Sequence, residues 1–200
     1  MQLSKGTGSV VNGYESVAGQ INVEWRKPFE ESDEKLNLNV YQSSQGRTEG
    51  NLVHRHQFND KLSTNTFLHA KSQWLKQDQN NDGFLDQPLD KQIIGANRWF
   101  WFGPKGWGIQ GGVKGTYVDN TGGQWSYTRG TEQVSGNPWG FQLNMRRVEG
   151  WAKIGHMFPN KPATSVGLQL AGVYHSQDAL YGKRPYDAVQ KSFYANLIYQ

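Results

Sequence analysis

Residues 78–86, DQNNDGFLD, set oxygen-bearing side chains at alternate positions. Asp78, Asn80 and Asp82 stand at positions 1, 3 and 5 of a calcium loop of the EF-hand kind. Gly83 takes position 6, Phe84 offers its backbone carbonyl at position 7, and Asp86 stands at position 9. Hard oxygen ligands at this spacing converge on one Ca²⁺ because the glycine folds the chain back sharply. The pattern departs at position 12, which is Leu89 in place of a bidentate glutamate, with Asp90 one step later. No helical pattern flanks the loop, and Asn-Asp-Gly is also ordinary turn chemistry in a solvated acidic turn. A cation here would stiffen a loop and carry out no reaction.

The other candidates for chemistry are weaker. His54 and His56 flank Arg55 in HRH and share a strand face. A His-x-His pair can ligate a metal, but neither a carboxylate nor a third histidine stands at a fitting offset. His69, His156 and His175 are scattered, so solvated or wall-lining roles fit all five histidines. The glycine-rich GPKGWGIQGG lies in a turn and strand, with no helix N-terminus to hold a phosphate. There is no cysteine, hence no thiolate nucleophile, disulfide or Cys-based metal site. No nucleophile motif or carboxylate dyad appears, so the sequence gives no support to an enzyme. The net charge of +4 is spread along the chain without a basic run, which argues against nucleic acid as a partner.

What would position these residues is a series of strands. The 200 residues include 24 Gly, 8 Trp, 9 Tyr and 9 Phe, with a mean hydropathy of −0.76. No apolar run is long enough for a membrane helix, and the first ten residues lack the basic and apolar regions of a signal peptide. From about residue 34 the pattern has period 2. Leu36, Leu38 and Val40 alternate with Asn37, Asn39 and Tyr41. Trp107, Ile109, Val113 and Tyr117 oppose Gln110, Lys114 and Thr116, while Phe141, Leu143 and Met145 oppose Gln142, Asn144 and Arg146. Phe193, Ala195, Leu197 and Tyr199 oppose Ser192, Tyr194 and Asn196. About nine strands of roughly ten residues are expected, the length that crosses a bilayer when tilted. One face is rich in Asn, Gln, Thr, Ser, Gly and Lys, and the other is apolar with Trp or Tyr at its ends. Short connections (58–61, 103–106 and 158–163) alternate with long ones (74–90, 119–137 and 176–187). This asymmetry suits an outer-membrane barrel better than a soluble sandwich, although single strands fit either.

The opening stretch GTGSVVNGYESVAGQINVEWRKP, residues 6–28, resembles the end of the plug domain of TonB-dependent outer-membrane receptors. Gly8, Ser9, Gly13, Ser16, Ala18 and Gly19, with the strand INV, carry that likeness at the plug–barrel junction. Small residues at Gly13, Ala18 and Gly19 allow close backbone approach in a crowded lumen. The segments SSQGRTEGNL, NNDGFLDQPL and KSFYANLIYQ look like receptors of this type from Bacteroidetes bacteria. The resemblance implies an all-β chain with residues 1–28 as the plug's end, 29–34 as a charged linker, and 35–200 as the first part of a 22-stranded transmembrane β-barrel. Both termini then read as interruptions, and about nine strands cannot close so wide a lumen or transport by themselves.

The implied activity is active import across the bacterial outer membrane of a scarce small molecule or metal chelate, such as a ferric siderophore, haem or a cobalamin. TonB and outer-membrane lipid would be the partners, with no required cofactor and calcium in an extracellular loop as an addition. By alternation, Lys114, Gln142, Asn144 and Arg146 are expected to face the lumen and the plug. Two other readings stay open: a passive porin or structural barrel, and a soluble calcium-dependent carbohydrate-binding β domain.

Overall fold

The structure is a computed structural model that describes residues 2–6, 19–22, 34–130, 137–161 and 163–200. Among these residues it is all antiparallel β, with one turn of 3₁₀ helix at Pro104–Gly106 and no α-helix. Two short strands, β1 (Gln2–Lys5) and β2 (Gly19–Asn22), pair into a small sheet of their own. The second sheet is a meander of β3 (Leu36–Gln42), β4 (Arg47–Gln57), β5 (Leu62–Gln73), β6 (Leu89–Phe102), β7 (Trp107–Gly123), β8 (Gly140–Met157) and β9 (Ser165–Tyr181). It closes with β10 (Arg184–Pro185) and β11 (Ala188–Tyr199), which keep a single register against β9 and so form two parts of one returning strand.

Each sequential pair is adjacent in space, as short antiparallel connections dictate. Turn chemistry fixes the tight ends. Asn59 Oδ1 accepts from the backbone N–H of Lys61 and Leu62 at 2.9 Å each, closing the β4–β5 turn. In the β6–β7 turn Gly106 has φ of +83°, and a side chain there would meet the Met157 carbonyl at 2.2 Å. The connections at 58–61, 103–106 and 158–164 gather on one side of the sheet, here the turn side. Those at 74–88 and 124–139 lie on the other, here the loop side.

The structure corrects the expected strand plan in two places. The strand expected around 141–146, at roughly ten residues, is the single 18-residue β8, because Val148-Glu149-Gly150 pairs without interruption to both neighbours. The connection expected at 176–187 is mostly strand, since β9 runs on to Tyr181 and the chain turns back at once. Both changes have one cause. Cross-strand pairing extends strands past the point where the alternation in sequence fades.

The substantial contacts between elements all join neighbouring strands, so the large sheet is a single layer. It has no conventional core. Apart from glycines, the buried strand residues are Ser63, Asn65, Gln73, Asp90, Ala96, Phe100 and Ala179 on one face, with Thr64 on the other.

Candidate functional site

Residues directly opposite in an antiparallel pair share a face, so the register sorts every side chain of the sheet. One face carries Leu38, Leu52, Leu68, Ile93, Val113, Val148, Leu168 and Phe193. Val113 and Val148, in central strands, are 59% and 58% exposed. On the turn side this apolar face ends in Trp99, Trp101, Trp107, His156 and Tyr199, and on the loop side in Tyr117 and Tyr174. The rings at the turn side touch. Trp107 and His156 stand 4.5 Å apart by ring centroid, His156 and Phe158 4.7 Å, and Phe58 stacks on Trp99 at 5.6 Å. Ten residues separate Trp107 from Tyr117, which at about 3.3 Å per residue and a tilt near 45° gives a band of about 23 Å. Some polar groups near the turn side of this face satisfy one another. Asn97 Nδ2 donates to Thr66 Oγ1 at 2.9 Å and to Thr64 Oγ1 at 3.2 Å.

The opposite face is the more polar one across the same band, although Val53, Phe67, Ile94, Trp151 and Val173 share it. Asn51, Asn65, His69, Gln110, Lys153 and Gln169 lie on it. His69 Nδ1 meets Asn51 Oδ1 at 2.7 Å. Glu149 sits between two cations, with Oε1 3.4 Å from Lys114 Nζ and 3.1 Å from Arg147 Nε. Lys71 pairs with Asp90, and Arg47 with Glu49. Trp151 lies over Gly112, where a side chain would meet the indole at 2.6 Å.

The four residues expected to line one surface do not share a face. Lys114 is on the polar face opposite Glu149 and Ala96. Gln142, Asn144 and Arg146 lie on the face of Val113, Arg146 level with Tyr117 and the other two beyond it toward the loops. There Gln142 Nε2 donates to Tyr127 Oη at 2.7 Å and Asn144 Nδ2 to Tyr117 Oη at 2.9 Å. The alternation of β8 misled because its polarity inverts along the strand: Phe141, Leu143 and Met145 share the face of Lys114. Past the band, each face changes character.

The DQNNDGFLD loop has the turn geometry its sequence suggests. Asp78 accepts from the N–H of Asp82 (3.2 Å) and Gly83 (3.0 Å), Asp82 Oδ1 accepts from Phe84 N–H (2.8 Å), and Asp86 Oδ2 from Gln79 N–H (2.8 Å). Gly83 has φ of +83° and Asn81 of +56°. Asn80 Nδ2 donates to Asp82 Oδ2 at 2.9 Å. These contacts turn the oxygens toward the loop's own backbone, and among the described residues no group of three or more acidic or histidine side chains converges as a metal site.

Sequence reasoning missed what holds this loop. Leu85 N–H donates to Gly123 C=O (2.9 Å) and Trp125 N–H to Gly83 C=O (2.8 Å), so the two long connections pair with each other. Lys76 Nζ clamps the Trp125 carbonyl at 2.6 Å and the Tyr127 carbonyl at 3.2 Å, while Arg129 pairs with Asp119. Between them is a hollow of about 350 Å³ lined by Trp74, Lys76, Asp90, Asp119, Tyr127 and Arg129. No sequence signal links residues about fifty positions apart.

Of the junction residues, Gly8, Ser9, Gly13, Ser16 and Ala18 lie outside the described residues, as does most of the linker expected at 29–34. Gly19 begins β2 opposite Lys5. No protein-family model matches the chain, and neither does any curated protein or solved structure.

Proposed function

We propose that this chain is part of the wall of an outer-membrane β-barrel of the TonB-dependent receptor type, serving active import of a scarce small molecule or metal chelate such as a ferric siderophore, haem or a cobalamin. One observation carries the membrane part of this reading: the exposed face is apolar while the shielded face is the more polar of the two, the inverse of a soluble sheet. On the strands of the large sheet, the charged residues of the apolar face are Lys91, Asp119, Arg146, Asp178 and Lys191, and all lie toward the loop side. The band between the aromatic rims is uncharged on that face, as contact with hydrocarbon requires. In this reading the opposite face hydrates a transport path, and Lys114, Arg147 and Glu149 supply fixed charge along it. The importer part rests on the likeness of residues 6–28 to a plug terminus, with TonB as the source of energy.

Single-cysteine labelling tests the wall, because the chain has no native cysteine. In membranes, Val113→Cys and Val148→Cys should react with a lipid-soluble maleimide and resist a charged one, while Gln110→Cys and Gln169→Cys should show the reverse. Rapid charged labelling at Val113 would overturn the reading. Uptake by the whole protein should stop when the proton gradient is collapsed; uptake that continues would favour the porin. Calcium at Asp78, Asn80, Asp82, Phe84 and Asp86 is a subsidiary proposal. A Ca²⁺ titration on the order of 1 mM should raise the melting temperature, and a flat titration removes it.

A further inference from the structure

The charges on the apolar face are also unevenly matched. In the large sheet, the Lys and Arg side chains on that face are Lys91, Arg146 and Lys191. All three are exposed, and none forms an ion pair among the described residues. Paired cations of the polar face, such as Lys71, Lys114 and Arg147, each have a carboxylate within salt-bridge distance. Two carboxylates share the face with the three exposed cations. Asp119 stands opposite Lys91 but is engaged by Arg129, and Asp178 stands opposite Asn144. The strands of this face thus carry three cations to two carboxylates, an excess of one.

Their placement is specific. Arg146 lies directly across from Tyr117, and Lys191 across from Tyr174, with its Nζ 5.9 Å from the ring centroid. These tyrosines end the apolar band on the loop side. The turn-side rim on the same face has Trp99, Trp101, Trp107, His156 and Tyr199, and no strand Lys or Arg. The two rims therefore differ in charge, although both are aromatic.

We infer that Lys91, Arg146 and Lys191 form a basic rim that holds phosphate-bearing lipid head groups of the leaflet on the loop side. This rests on the membrane-wall reading above. A cation beside a rim tyrosine sits at head-group depth, where its stem stays in the apolar layer and its charge meets phosphate. Each such Lys or Arg near an anionic surface is worth roughly fivefold in lipid association, and the effect weakens as salt is added.

The test uses the whole protein in phosphatidylcholine nanodiscs containing a minor fraction of spin-labelled phosphatidic acid, with spin-labelled phosphatidylcholine as the reference. The wild type should hold phosphatidic acid in preference, and Arg146→Gln alone should lower that preference about fivefold. The combined Lys91→Gln, Arg146→Gln and Lys191→Gln variant should abolish it. The control Lys61→Gln, Lys105→Gln and Lys161→Gln, in turn-side connections, should leave it intact. An inserted wild type without preference, or a triple variant that keeps it, overturns the basic rim alone. A protein that fails to insert by cysteine labelling overturns the membrane wall as well, so the two failures are distinguishable. Lys191 lies on an edge strand, so Lys191→Gln alone gives a readout if the triple variant does not fold.

Discussion

Asp78 shows how far a residue pattern can be trusted. Its alternate oxygens were legible in sequence, and its two backbone hydrogen bonds follow from the tight turn at Gly83. Asp78→Ala should therefore speed amide exchange at Asp82 and Gly83, each bond being worth about 1 kcal/mol. Exchange in β6 and β7 should be unchanged, and unaltered loop amides would show that the bonds do not hold the turn. Gly140 makes the opposite case. A Cβ there would stand 2.1 Å from the ring of Tyr127, which is 3% exposed. Gly140→Ala should expel Tyr127 and cost about 1–3 kcal/mol in chemical denaturation, as overpacking does. Nothing near Gly140 in sequence announces this contact, because Tyr127 arrives from a connection thirteen residues earlier.

At the scale of the strand, the two faces set the consequences of a charge. Val113 lies near the middle of the apolar band and Ser192 on the polar face of β11. Val113→Lys should destabilise the membrane-inserted protein by about 2–4 kcal/mol, whereas Ser192→Lys should be nearly neutral. Equal effects in a folding titration from lipid would contradict the assignment of faces. Alternation revealed the faces of β3, β7 and β11 correctly because each stays within one environment through the band. It failed for β8, which passes from the band to the loop side: Arg146 and Val148 share a face, and so do Lys114 and Met145 on the other. A period-2 pattern reports which residues lie together along a strand but carries no information on which strand residues lie across from them.

The whole molecule has a single-layer sheet with two edges. Among the described residues β3 and β11 each pair on one side only, and Phe193, 77% exposed, lies on the second of these. An apolar face and open edges both favour association. The 200-residue chain in detergent-free buffer should sediment as large assemblies and become smaller when detergent is added. A stable monomer in water would instead support the soluble carbohydrate-binding reading.

Composition and period by themselves determined an all-β antiparallel chain, its tight turns, and the existence of one apolar and one polar stripe, because these depend on neighbours two to four residues apart. Only the tertiary structure decided that β8 is one strand, that Lys114 stands apart from Gln142, Asn144 and Arg146, and that Lys76 joins the two long connections. Those outcomes depend on register, which brings residues tens of positions apart into contact through hydrogen bonds between backbones of any sequence.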